Sequence, residues 1–133
     1  MSETHTPGQT TQPPQRPPQD VIQPVHHLDL DEECARLLQE ASTNPSHRAA
    51  KTLSKDSSMS VAIVAITGGT EIKDHSAHCS ALLQTLRGQV SISLKDTEVQ
   101  LLAGQVVTLA SQVPHGLRAT VDSVVLLVVA GDK

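Results

Sequence analysis

Apolar residues follow two rhythms along the chain. Over Leu28–Ala41, the residues Leu30, Cys34, Leu37, Leu38 and Ala41 recur at three- and four-residue spacing, which lays one apolar stripe along a helix. Asp29 is placed to cap it, with Glu32 as the capping-box partner, and Asp31, Glu32 and Glu33 sit where the helix dipole favours anions. Asn44-Pro45 ends it. From His47 onward the period is two. Val61, Ile63 and Ala65 alternate with Ala62, Val64 and Ile66, so both faces of this strand are apolar and it is expected between layers. Further strands are expected at Leu82–Leu86, Val90–Leu94, Val99–Leu102, Val106–Ala110, Leu117–Val121 and Val124–Ala130. Turn signals separate them: Gly68-Gly69, Arg87-Gly88, Lys95-Asp96, Ala103-Gly104, Val113-Pro114 and Asp122-Ser123. Short strands at this spacing predict an all-β sandwich or barrel. Helix and strand do not alternate, which argues against a doubly wound parallel sheet.

Met1–Pro24 breaks both rhythms. It holds six of the eight prolines with almost no aliphatic residues, so it cannot bury enough apolar surface to offset its ordering entropy. Residues 1–24 are expected to be a disordered tail and residues 25–133 one domain. Pro13–Pro18 has the composition of a ligand for a polyproline-reading module, but a solvated tail is the preferred reading.

Composition narrows the function. The formal net charge of −4 is spread without blocks, and no basic stripe is present to neutralise phosphates, so nucleic acid is not expected as a partner. The apolar runs are too short for a membrane span, and the start of the sequence lacks the marks of a secretory leader. Two cysteines, Cys34 and Cys79, make no disulfide framework and suit a reducing compartment; a cytoplasmic location is the expectation. Phe, Tyr and Trp are absent, so the core and any pocket must be lined by aliphatic groups, and recognition by aromatic stacking is excluded.

Two motifs carry a family resemblance. Gly69-Thr-Glu-Ile-Lys-Asp-His75 is followed by Leu82-Leu-Gln-Thr-Leu-Arg-Gly88 and the alternating Gln89–Leu94. Gly104 then opens a second motif that ends on Val113-Pro114-His115. From Leu53 to Ala130, this order and spacing resemble the small stand-alone, RmlC-like cupins. The resemblance implies a double-stranded β-helix, the cupin jelly-roll barrel, with one short N-terminal helix, and it implies a homodimer. It also implies a metal site, here depleted. The positions of the second imidazole and the glutamate of metal-binding cupins are Ala77 and Ala81, and the Pro and Gly of the second motif's centre are Ala110 and Gln112. His75 and His115 remain as ligands, with His78 or Cys79 as a third. Such a set would hold one divalent first-row metal (iron, manganese, nickel, copper or zinc) weakly, because a catalytic site usually offers three protein ligands. The alternative for His75 and His115 is hydrogen bonding across the barrel opening.

Three functions follow in order of preference. The first is a small-molecule binding module with an aliphatic pocket, its ligand oriented by His75, His115, Gln84 and Arg118. The second is a metal-dependent cupin enzyme of oxygenase or isomerase type. The third is a dimeric scaffold, in which Arg48–Lys55 is exchanged and a partner subunit covers Val61–Ile66. Other chemistries find no support. No Gly-x-Ser-x-Gly elbow is present, Gly68-Gly69 is not followed by a helix that could hold phosphate, and the acidic residues lie mostly in turns and the helix.

Overall fold

The computed structural model describes residues 24–75 and 78–131; the side chains of Asp74 and His75 lie outside it, as does the proline-rich stretch before Pro24. Among the described residues one helix, α1 (Leu30–Thr43), precedes nine strands: β1 (Arg48–Lys55), β2 (Met59–Ile66), β3 (Glu71–His75), β4 (Ala81–Arg87), β5 (Gln89–Ser93), β6 (Glu98–Leu102), β7 (Val106–Leu109), β8 (His115–Ala119) and β9 (Ser123–Ala130). Every strand pair is antiparallel. Two sheets result, in the orders β1-β2-β9-β4-β7 and β3-β8-β5-β6. They face each other as a jelly-roll barrel. No helix among the described residues is long and apolar enough to cross a membrane.

The helix starts two residues later than the apolar stripe because Asp29 stays extended and caps it, accepting a hydrogen bond from the Glu32 amide at 3.3 Å. Such a cap contributes about 1 kcal/mol. The helix also runs on past Ala41. The hydroxyls of Ser42 and Thr43 donate back to the carbonyls of Gln39 and Glu40, and Asn44 leaves the helical conformation. Cys34, Leu37 and Ala41 pack on Leu53, Ile63, Ala65 and Val124, the outer face of the five-stranded sheet. Two ion pairs hold the helix there, Lys51 with Glu33 and Arg87 with Asp31, each at 2.8 Å. Burial pushes the Cys34 thiol above its ordinary range, against the pull of the Arg87 guanidinium, so it stays protonated and packs as a small apolar group.

This arrangement supplies within the chain the cover for β2 that the scaffold reading assigns to a partner subunit. The outer face of Val61–Ile66 is covered within the chain by α1, while Val64 and Ile66 turn into the barrel. A partner subunit is not needed to cover it, and Arg48–Lys55 pairs with β2 of its own chain. Strand β3 is not among the strands that the apolar periodicity predicts. Its only large apolar residue is Ile72, too few for a visible alternation, yet its backbone pairs with β8. The barrel interior is filled by Ile66, Leu83, Val90, Ile92, Leu101, Leu117, Ala119 and Val125. Thr85, fully buried, ties the sheets together by donating its hydroxyl to the Leu101 carbonyl at 3.1 Å.

Candidate functional site

Strands β1 and β3 are the edge strands of the two sheets on one flank of the barrel, and on that flank the interior is hollow. The cavity has a volume of about 490 Å³. The five-stranded sheet contributes Ala50, Val64, Leu83, Val125 and Leu127 to its wall, and the four-stranded sheet contributes Ile72, His115 and Leu117. Asn44, Arg48 and Ala49, at the junction between α1 and β1, complete the described lining. None of the lining residues belongs to β5, β6 or β7, which close the packed flank. The reason lies in the alternation: Val64, Val125 and Leu127 point inward, while their neighbours Ile63, Val124 and Leu126 pack under the helix.

His115 is the one imidazole in this wall among the described residues, and it is buried. Its Nδ1 lies 3.0 Å from the Val113 carbonyl, which can only accept, so Nδ1 is the donor in this contact. The preceding loop holds Gln112 in the left-handed region at φ 69°. A side chain there costs about 1–2 kcal/mol. The position therefore keeps the backbone conformation of a glycine without the residue.

The other expected site residues are distributed unevenly. His75 is the cross-strand partner of His115 in the β3–β8 ladder, so the backbone places the two at one register position; the His75 side chain lies outside the described residues. His78 is exposed in the bend after β3 and does not line the cavity. Ala77 lies outside the described residues, and Ala81 puts a methyl group at the start of β4. Among the described residues no three His, Cys, Asp or Glu side chains stand together as a ligand set. The described donors therefore do not make up the metal centre that the fold family implies.

Gln84 and Arg118 are not brought to the cavity. Leu83 and Leu117 face it, so their neighbours face outward. Gln84 donates its amide to the Gly104 carbonyl at 3.2 Å, and Arg118 pairs with Glu98 at 3.4 Å. Arg48, which sequence reasoning passed over, takes the position expected of Arg118. Its signal was faint, a single cation between His47 and the Ala49-Ala50 pair at the start of a strand.

No family model matches the chain, and no curated protein does. Solved structures do. A cupin superfamily protein from Desulfitobacterium hafniense superposes with a TM-score of 0.61 at 14% identity, over 64% of this chain and 78% of that one. The conserved protein of unknown function from Streptococcus pyogenes gives 0.65 at 23% identity, over 88% and 99%. Salicylate 1,2-dioxygenase from Pseudaminobacter salicylatoxidans gives 0.65 at 17% identity, over 74% of this chain but 33% of that one. The class is thereby defined: the chain has the cupin fold. Within that class it is a small single-barrel form with its helix packed on the outside of the larger sheet.

Proposed function

We propose that this barrel is a binding module for a small, largely apolar molecule held between its sheets. The observation that carries the reading is the cavity: about 490 Å³, walled by aliphatic side chains, with Asn44, Arg48 and His115 as the polar residues among the described lining. Volumes of roughly 300–1,000 Å³ with a few placed polar groups are what ligand sites have. An Ala50→Trp variant tests it. Ala50 is exposed on the edge strand yet lines the cavity, so an indole there obstructs the space without entering the packed core. Compounds that raise the melting temperature of the native chain should lose that effect in the variant. A library in which no compound stabilises the native chain, or in which hits stabilise both proteins equally, would count against the reading.

One observation favours a second reading, a metal-dependent cupin enzyme of oxygenase or isomerase type. The Val113 carbonyl lies 3.0 Å from His115 Nδ1, the kind of outer contact that metal-bound histidines make, and the backbone pairs His75 with His115 across β3 and β8. These two would hold iron, manganese, nickel, copper or zinc, and the metal would supply Lewis-acid or oxygen chemistry. Elemental analysis of untagged protein purified without chelator, beside a His75→Ala/His115→Ala double variant, decides. Near one equivalent of metal, lost in the variant, would establish this reading; no metal in either would remove it.

A further inference from the structure

The cavity's polar groups are unequal in a way that selects a ligand. We infer that its occupant is an amphipathic monocarboxylate, with the carboxylate on Arg48 and the hydrocarbon body between the sheets; this rests on the barrel being a binding module. Four arginines lie among the described residues, and three already hold a carboxylate: Arg36 with Glu32, Arg87 with Asp31 and Arg118 with Glu98. Arg48 is the exception, and it is the one that lines the cavity. A guanidinium presents a planar fork of donors that matches a carboxylate, so an incoming acid completes a pairing that its counterparts make within the chain.

Asn44 adds to the same end of the site. Its Oδ1 accepts from the Ser46 amide at 3.1 Å and from the Ser46 hydroxyl at 3.0 Å. That engages Oδ1 and leaves the NH₂ as the donor of this carboxamide, at a residue that lines the cavity beside Arg48. Apart from His115, the remaining described lining is aliphatic, with Val64, Leu83, Leu117, Val125 and Leu127 forming most of it, and that part can receive only hydrocarbon. One cation and one amide suit a single negative charge. A phosphate would call for further cations or a helix N-terminus, and the described lining supplies neither. Arg48 is exposed, so it stands where the ligand meets water and the acid head need not be desolvated in full.

Titration calorimetry of the full chain with octanoate and with 1-octanol, on the native protein and on Arg48→Gln, tests the assignment. Octanoate should bind the native chain more tightly than octanol does. The substitution should weaken octanoate about fivefold to tenfold and leave octanol unchanged, the span expected for loss of a charge-assisted pair at a solvent-facing site. Raising the salt concentration should narrow the gap between the two ligands in the native protein only. Equal binding of the two ligands, or octanoate binding unmoved in Arg48→Gln, would overturn the carboxylate assignment while leaving the binding reading intact. Absence of heat with both ligands, together with a library that stabilises nothing, would overturn both.

Discussion

Gly88→Ala is expected to cost about 3 kcal/mol or more and to leave little soluble folded protein. Gly88 sits between β4 and β5 at φ +80°, a region where an L-residue pays about 1–2 kcal/mol for its Cβ. Space is the larger problem. A Cβ on Gly88 would collide with the Ser123 hydroxyl, and it would lie 2.5 Å from the Asp122 carbonyl oxygen and 2.9 Å from the Ser123 Cα. Two of these three neighbours are backbone and cannot rotate away. Moving them would also break what Ser123 does, since its buried hydroxyl accepts the Gln89 amide at 3.0 Å and lies 2.6 Å from the Val121 carbonyl that it donates to. Domains of this size have only about 5–15 kcal/mol in hand. Gly104→Ala is the control. Gly104 has a similar φ of +91°, but nothing lies within 4 Å of the added carbon, so the cost should be the conformational part alone, about 1 kcal/mol. Urea unfolding of the two variants measures the difference; equal losses would show that Gly88 is not wedged against the β8–β9 turn.

The second large effect should separate the two flanks of the barrel. Ile92, on β5, is fully buried among the residues of the packed flank. Its truncation to alanine removes several methylene groups and leaves a void that neighbours can only partly fill, a loss of about 3–4 kcal/mol. Leu127, on β9, is half-buried in the wall of the hollow flank. Fewer neighbours are lost there and the space already exists, so Leu127→Ala should cost about 1–2 kcal/mol and enlarge the site. Measured by denaturant midpoint at constant slope, the Ile92 variant should be the weaker by at least 1 kcal/mol. A Leu127 variant as unstable as the Ile92 variant would mean that the cavity collapses in solution.

Much of this architecture is legible in the chain because burial imposes a period. Leu30, Cys34, Leu37 and Ala41 announce a helix with one buried side, and the alternating runs announce most strands to within a residue or two. The doubly apolar strands were legible as buried but not as to what lies on each side. Ile63 and Val64 are both aliphatic, and only the structure shows that one meets α1 and the other the cavity. Strand β3 escaped because an edge strand with one half-buried aliphatic residue, Ile72, has no rhythm to read. His115 was singled out through its motif, and it lines the cavity. Arg118 lies away from the cavity for a reason the alternation itself contains: three residues past an inward-facing His115, a strand residue points outward. Arg48 was not legible, because a lone cation declares its surroundings only after β1 has been laid along β2.

The strand order has a consequence for how the chain is made. In the five-stranded sheet the central position belongs to β9, the final strand in sequence, which pairs with β2 on one side and β4 on the other. A ribosome delivers the helix and eight strands before the piece that joins them. Until then β2 and β4 each lack their inner neighbour, and β2 waits with aliphatic side chains on both faces. Such a topology cannot be assembled stepwise from the N-terminus; the larger sheet closes in one late event, through contacts between segments far apart in the chain. Nascent chains stopped short of Ser123 would present two unpaired apolar strand edges, and they are the species that cellular quality control must clear.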